Sequence, residues 1–124
     1  MSIAVTRAAV EMEERAEDLS PYEVISLLFD GALERIDQAQ VSLSSGQPTE
    51  TDALITKVVG IVNGLRCSLD LEKGGEIAEN LNNLYEYMDG RLKLAHEDSS
   101  GEILQETGKL LAELRDGWEG MSVA

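Results

Sequence analysis

One cysteine, one histidine and only ten basic residues occur in this chain of 124, and each shortage closes off a class of function. A single thiol, Cys67, can build neither an intramolecular disulfide framework nor a cysteine metal cluster, which fits a reducing cytoplasm. His96 stands alone with Lys93 three residues before it, so the paired Glu-x-x-His motifs of a di-iron bundle are absent. Haem attachment through Cys-x-x-Cys-His is absent too. Ten Lys and Arg against 24 Asp and Glu give a formal charge of -14, with no clustered basic footprint for nucleic acid. Long apolar runs are also missing. "VISLLF" and "VVGIV" fall far short of the ~20 residues of a membrane span. The opening "MSIAVTRAAVEMEERAEDL" lacks the basic n-region and long apolar h-region of a secretory signal. The expectation is a soluble, cytoplasmic protein with no membrane insertion and no nucleic-acid partner, built around one core.

Catalytic and ligand-binding constellations fare no better. Cys67 and His96 would be the one nucleophile-base pair, but the 100° helical step turns Cys67 away from its helix's apolar stripe and leaves an ordinary exposed thiol. His96, beside Glu97 at the end of a helical pattern, reads as a solvated C-terminal histidine. No catalytic residue, metal ligand or cofactor site is assigned, and the chain is expected not to be an enzyme.

Helical periods fill the sequence, and strand-like alternation does not appear. Ser20-Pro21-Tyr22-Glu23 reads as an N-cap serine, a proline in the first helical position and a glutamate able to close a capping box. The helix it starts carries Val24, Ile25, Leu28, Ala32, Ile36, Ala39 and Leu43 on one face and stops at "SSGQP". A second helix from about Thr49 places Leu54, Val58, Ile61, Val62, Leu65 and Leu69 in a stripe and is expected to reach Lys73, with Gly74 as its left-handed end. A third follows Gly75, with Ile77, Leu81, Leu84, Tyr85, Met88, Leu92 and Ala95 inward. Ser99 and Glu102 have capping-box spacing ahead of a fourth, whose inner face is Ile103, Leu104, Thr107, Leu110, Leu111, Leu114 and Trp118. These predict an all-α fold, an antiparallel four-helix bundle over residues 19-124. Residues 1-18, with a thin Val5, Ala9, Met12, Ala16 stripe among glutamates, are read as a short extra helix or a cover segment.

The Gly74-Gly75 pair looks at first like a phosphate loop. It has neither the Walker spacing nor the three spaced glycines of a dinucleotide fingerprint, and Glu72 and Glu76 flank it. A helix-to-helix corner is the better reading.

Apolar surface beyond the stripes is the remaining signal. Tyr22, Phe29, Leu33 and Ile36 form a shoulder on the first long helix, Ile55, Val59 and Val62 form another on the second, and Tyr87 with Leu94 lies on a further side of the third. Because a bundle helix needs a stripe of only about 100°, these shoulders predict a groove for an amphipathic helix of a partner. The competing expectation is a helical structural or adaptor module that self-associates through the same surfaces. Gly31, Gly60, Gly64, Gly90 and Gly108 fall inside helices, where each costs about 1 kcal/mol against Ala. Close helix approach is the first explanation for them, and a bundle soft enough to adapt is the second.

"SPYEVISLLFDGALERIDQAQ", "IVNGLRCSLDLEKGGEIAENLNNLYEYM" and "LLAELRDGW", in that order over about Ser20 to Trp118, resemble the motif string of the FliS family of flagellar secretion chaperones. Phe29 stands where that family usually has Tyr, which keeps the ring and loses a hydroxyl. The resemblance implies a non-enzymatic four-helix bundle that binds the C-terminal helical region of flagellin. It also implies that binding prevents premature polymerisation and delivers the client to the flagellar type III export gate. It further implies that the N-terminal segment can lie over the binding surface when no client is present.

Overall fold

The computed structural model describes residues 20-121. Four helices occupy nearly all of this span: α1 Pro21–Ser44, α2 Pro48–Cys67, α3 Gly75–Asp98 and α4 Gly101–Met121. No strand occurs among the described residues. The expected cover segment, residues 1-18, lies outside them.

The start of α1 is set as its sequence implies. Ser20 Oγ accepts from the Glu23 amide at 3.2 Å while the Ser20 amide donates to Glu23 Oε2 at 3.3 Å, so two otherwise orphaned donors are satisfied reciprocally. At the other end the chain reverses through Gly46, whose φ of +70° suits glycine, and enters α2 at Pro48. A buried polar link closes this hairpin. The Ser42 and Thr51 hydroxyls lie 2.6 Å apart, with the Ala39 carbonyl 2.9 Å from Ser42 and the Gln47 carbonyl 3.0 Å from Thr51, so one hydroxyl proton bridges the pair and the other goes to a carbonyl.

The second corner departs from expectation. α2 stops at Cys67, six residues before Lys73, and Gly75 rather than Gly74 takes the left-handed conformation, with φ +54°. Local side-chain bonds compete with the helix here. Ser68 Oγ donates to the Leu65 carbonyl at 2.6 Å, and the Asp70 carboxylate accepts from the Glu72 and Lys73 amides at 3.1 and 3.0 Å. Gly74 is required for a different reason. A Cβ there would sit 2.5 Å from Ala78 Cβ and 2.7 Å from the Asp70 carbonyl oxygen.

This shortened α2 also explains Ile77, expected in the core but 75% exposed. The turn beside α3's first residues packs on Ala78, which is buried in its place. At the third corner Ser99, with φ 51°, ends α3, so the cap of α4 is Ser100, whose Oγ accepts from the Ile103 amide at 3.3 Å.

Cross-helix contacts show antiparallel packing. Tyr22, Asp30 and Ile36 of α1 meet Trp118, Arg115 and Gly108 of α4, the numbers rising along α1 as they fall along α4. Arg66 of α2 binds Asn82 and Glu86 of α3, while Asp52 near the start of α2 meets His96 near the end of α3. Each helix therefore packs on its chain neighbours, and α1 with α4 closes the ring. Ile36, Val58, Val62, Leu65, Met88, Leu92, Leu104 and Leu111 form the centre of the core. Burial pushes the Tyr85 phenol up to about 12.

Candidate functional site

The ring places the expected partner-binding residues differently from a single exposed groove. Phe29, Ile36, Ile55 and Val62 are buried, at 2, 1, 3 and 0% exposure, which corrects the expectation that they form a surface beside the core. The shoulder of α1 is its seam with α4. Tyr22 stacks on Trp118 with ring centroids 5.1 Å apart and planes 11° from parallel, and Trp118 Nε1 donates to the Tyr22 carbonyl at 3.3 Å. Further along, a Cβ at Gly108 would lie 3.2 Å from Ile36 Cγ2, so the two helices meet there on glycine. Leu33 is half-buried against the same core.

The shoulder of α2 is its seam with α3, and this seam is partly open. Ile55 and Val59 lie in a groove of about 280 Å³ whose other walls are Thr56, Lys93, His96 and Glu97. Val59 is half-buried, so the groove offers an apolar floor with a charged rim of both signs. His96 Nδ1 lies 3.0 Å from an Asp52 oxygen and ties the rim across the two helices. The sequence pointed to Ile55 and Val59 but not to Lys93, Glu97 or the Asp52 partner of His96, because no periodicity links residues so far apart in the chain. His96 is in the last turn of α3 and exposed, as expected, and Cys67 is exposed as well.

Tyr87 sits on the opposite side of α3, toward α4, at 49% exposure. Its hydroxyl donates to Glu106 Oε1 at 2.6 Å, and Arg91 donates to Glu106 Oε2 at 3.1 Å. These hydrogen bonds, Tyr87's first, hold the Glu106 carboxyl below the usual carboxylate range, and the bond to Glu106 raises the Tyr87 phenol above its own. The eight residues thus divide among three seams and do not converge on one surface. Among the described residues, no three His, Cys, Asp or Glu side chains are grouped to hold a metal ion, and no helix is long and apolar enough to cross a membrane.

The glycines separate into two kinds. A Cβ added at Gly108 would lie 3.2 Å from Ile36 Cγ2, a close helix approach, and one at Gly31 would make ordinary contact with Arg35 and Ile61, whereas Gly60, Gly64 and Gly90 face open space.

Comparison with known proteins shows the family to which this chain belongs. The family described as Flagellar protein FliS matches residues 4–124. Flagellar secretion chaperone FliSB of Pseudomonas aeruginosa is 43% identical over 113 residues, covering 91% of this chain and 90% of the relative. Flagellar secretion chaperone FliS of Salmonella typhimurium is 36% identical over 116 residues, covering 93% and 86%. The corresponding protein of Escherichia coli is 29% identical over 113 residues, covering 90% and 83%. With a family match over nearly its whole length and relatives aligned almost end to end, this chain belongs to the flagellar protein FliS family.

Proposed function

We propose that this protein is a flagellar secretion chaperone whose client is flagellin. The observation that carries the reading is the match to the FliS family over residues 4–124, with relatives named flagellar secretion chaperones aligned over nine-tenths of the chain. A chaperone role is non-enzymatic, and it needs what the chain has: apolar seams for a helical client and a charge of -14 that keeps the complex soluble.

In this reading the C-terminal helical region of flagellin lays an apolar face along the open α2–α3 seam. Val59 forms the contact, Ile55 the floor, and Lys93, His96 and Glu97 the polar rim. Burial of apolar area at roughly 25 cal/mol per Å² drives docking, less the cost of ordering the client. Tyr22, Leu33 and Tyr87 are secondary contacts at the other seams. Held this way in the cytoplasm, flagellin stays monomeric until the export gate receives the complex. Residues 1-18 cover the groove when no client is present, so deleting residues 2-18 leaves binding intact or tightens it.

The test is co-purification of flagellin with wild-type and Val59→Asp protein, with helicity checked by circular dichroism. Val59→Asp is expected to remain helical and to lose roughly tenfold or more in affinity. Retained binding by that variant would remove the groove assignment while leaving the client intact. Failure of the wild type to bind flagellin would remove the client itself.

A further inference from the structure

Asn63-Gly64 is the single Asn-Gly junction of the chain. It lies inside α2, close to the end of that helix at Cys67. Both residues are exposed, and nothing among the described residues bonds the Asn63 side chain. The three Asp-Gly junctions, which begin at Asp30, Asp89 and Asp116, differ from it. Their carboxylates pair with Arg115, Lys93 and Arg115 at 3.7, 3.0 and 3.5 Å, and an ionised carboxylate resists attack by a nucleophile.

A neutral amide followed by glycine carries its own chemistry. With no Cβ on Gly64 to shield it, the deprotonated Gly64 amide nitrogen can attack Asn63 Cγ. The new C–N bond closes a five-membered imide as the Cγ–Nδ2 bond breaks, and ammonia leaves with the proton. Water then opens the imide at one carbonyl or the other, leaving aspartate or isoaspartate, with nothing oxidised or reduced. An intact α2 blocks the first step twice over. An α-helix spends each interior amide on the carbonyl four residues back, and attack needs an extended ψ at Asn63, far from the helical value of about -42°.

The helix around the junction is held from one side. Val62 and Leu65 are buried at 0 and 1% exposure. Arg66 donates to Asn82 Oδ1 at 2.7 Å and pairs with Glu86, so α3 clamps the last turn of α2. On the outer side Gly60 and Gly64 face open space, and each weakens the helix relative to alanine with no packing in return. The Gly64 carbonyl takes the Ser68 amide at 3.2 Å, a bond of the C-cap itself, where opening starts. We infer that Asn63 is a spontaneous deamidation site, which the last turns of α2 hold inert and release for reaction when they open. Isoaspartate runs the main chain through an extra carbon, so the helical repeat does not re-form across it. An opening that reacts therefore leaves a permanent break in α2.

The test incubates the full chain in mildly alkaline buffer, folded and in denaturing urea, and follows Asn63 by peptide mass mapping with isoaspartate detection. Asn63 is expected to deamidate in urea, and at least roughly tenfold more slowly in the folded chain, the ratio reading the opening equilibrium of α2. Arg66→Ala, with helicity checked by circular dichroism, should speed the folded reaction about two- to fivefold and leave the urea rate unchanged. Gly60→Ala, which strengthens the helix outside the junction, should slow the folded reaction about three- to fourfold, again with no change in urea. Equal rates in the folded chain and in urea, or a folded rate moved by neither variant, would overturn the proposal. So would reaction at Asp30, Asp89 or Asp116 ahead of Asn63.

Discussion

Gly60, Gly64 and Gly90 lie in helix interiors, yet a Cβ added at any of them meets nothing within 4 Å. Replacing each by alanine should therefore stabilise the bundle. Alanine restricts the unfolded chain and favours the helix by about 0.8 kcal/mol per exposed interior site. Gly90 is on another helix, and two alanines at Gly60 and Gly64, one turn apart, add only methyl groups, so the triple variant should gain roughly 2 kcal/mol. For a domain of about 100 residues, 1 kcal/mol moves the thermal midpoint by about 4–8 °C, which gives a rise on the order of 10 °C. Urea denaturation followed by circular dichroism reads this gain as a shift in midpoint at unchanged slope. Gly74→Ala is the internal contrast. Its Cβ would lie 2.5 Å from Ala78 Cβ and 2.7 Å from a backbone oxygen, and the loss should be roughly 1–3 kcal/mol. A triple variant no more stable than wild type would refute the reasoning, because it would mean that something packs against those faces in the free protein.

Three other perturbations probe single contacts. Ser20→Ala breaks the capping box of α1 and should cost about 1 kcal/mol in urea denaturation, whereas Ser99→Ala should cost little because the cap of α4 is Ser100. Trp118→Ala removes the stack on Tyr22 and the bond to its carbonyl and should cost about 2–3 kcal/mol, while Trp118→Phe, which keeps a ring, should lose about 1 kcal/mol. Glu106 is held below the usual carboxylate range, so its contribution to stability is fully present above that range and fades as pH falls through the lowered folded value. Tyr87→Phe deletes the first of its two donors, and an NMR titration of the Glu106 carboxyl should show its pKa rising toward the ordinary range, with an unmoved pKa counting against the bond.

The helices were legible wherever local chemistry decides them. Ser20-Pro21 and Glu23 define one start by side-chain bonds three residues apart, and Gly46 with Pro48 defines a stop, so reading them needs only the nearest neighbours. The α2–α3 corner was not legible because its decisive contacts are conditional. Ser68 and Asp70 can serve a helix or end one, and only the arrangement around Ala78 shows that Gly74 is needed for space and Gly75 for its dihedral. Ile77 continued the helical period of α3's inward stripe, but at this end of the helix Ala78 is buried and Ile77 is exposed. The candidate site was half legible: Ile55 and Val59 are in it, but its Lys93, His96 and Glu97 wall belongs to another helix.

The mistaken shoulders carry a lesson about ring bundles. A helix that packs on one core needs an apolar arc of about 100°, but α1 must also meet α4 on one side and α2 on the other. Phe29 and Ile36 are apolar because the ring closes through them, and Ile55 and Val62 because α3 lies there. Surplus apolar breadth is thus the signature of a second seam before it is the signature of a partner. A partner surface has to be sought where a seam stays partly open, which in this ring is the Val59 stretch between α2 and α3. The acidic surface then decides how such a gap is used. A net charge of -14 opposes self-association, which favours leaving an open apolar seam uncovered by a second copy.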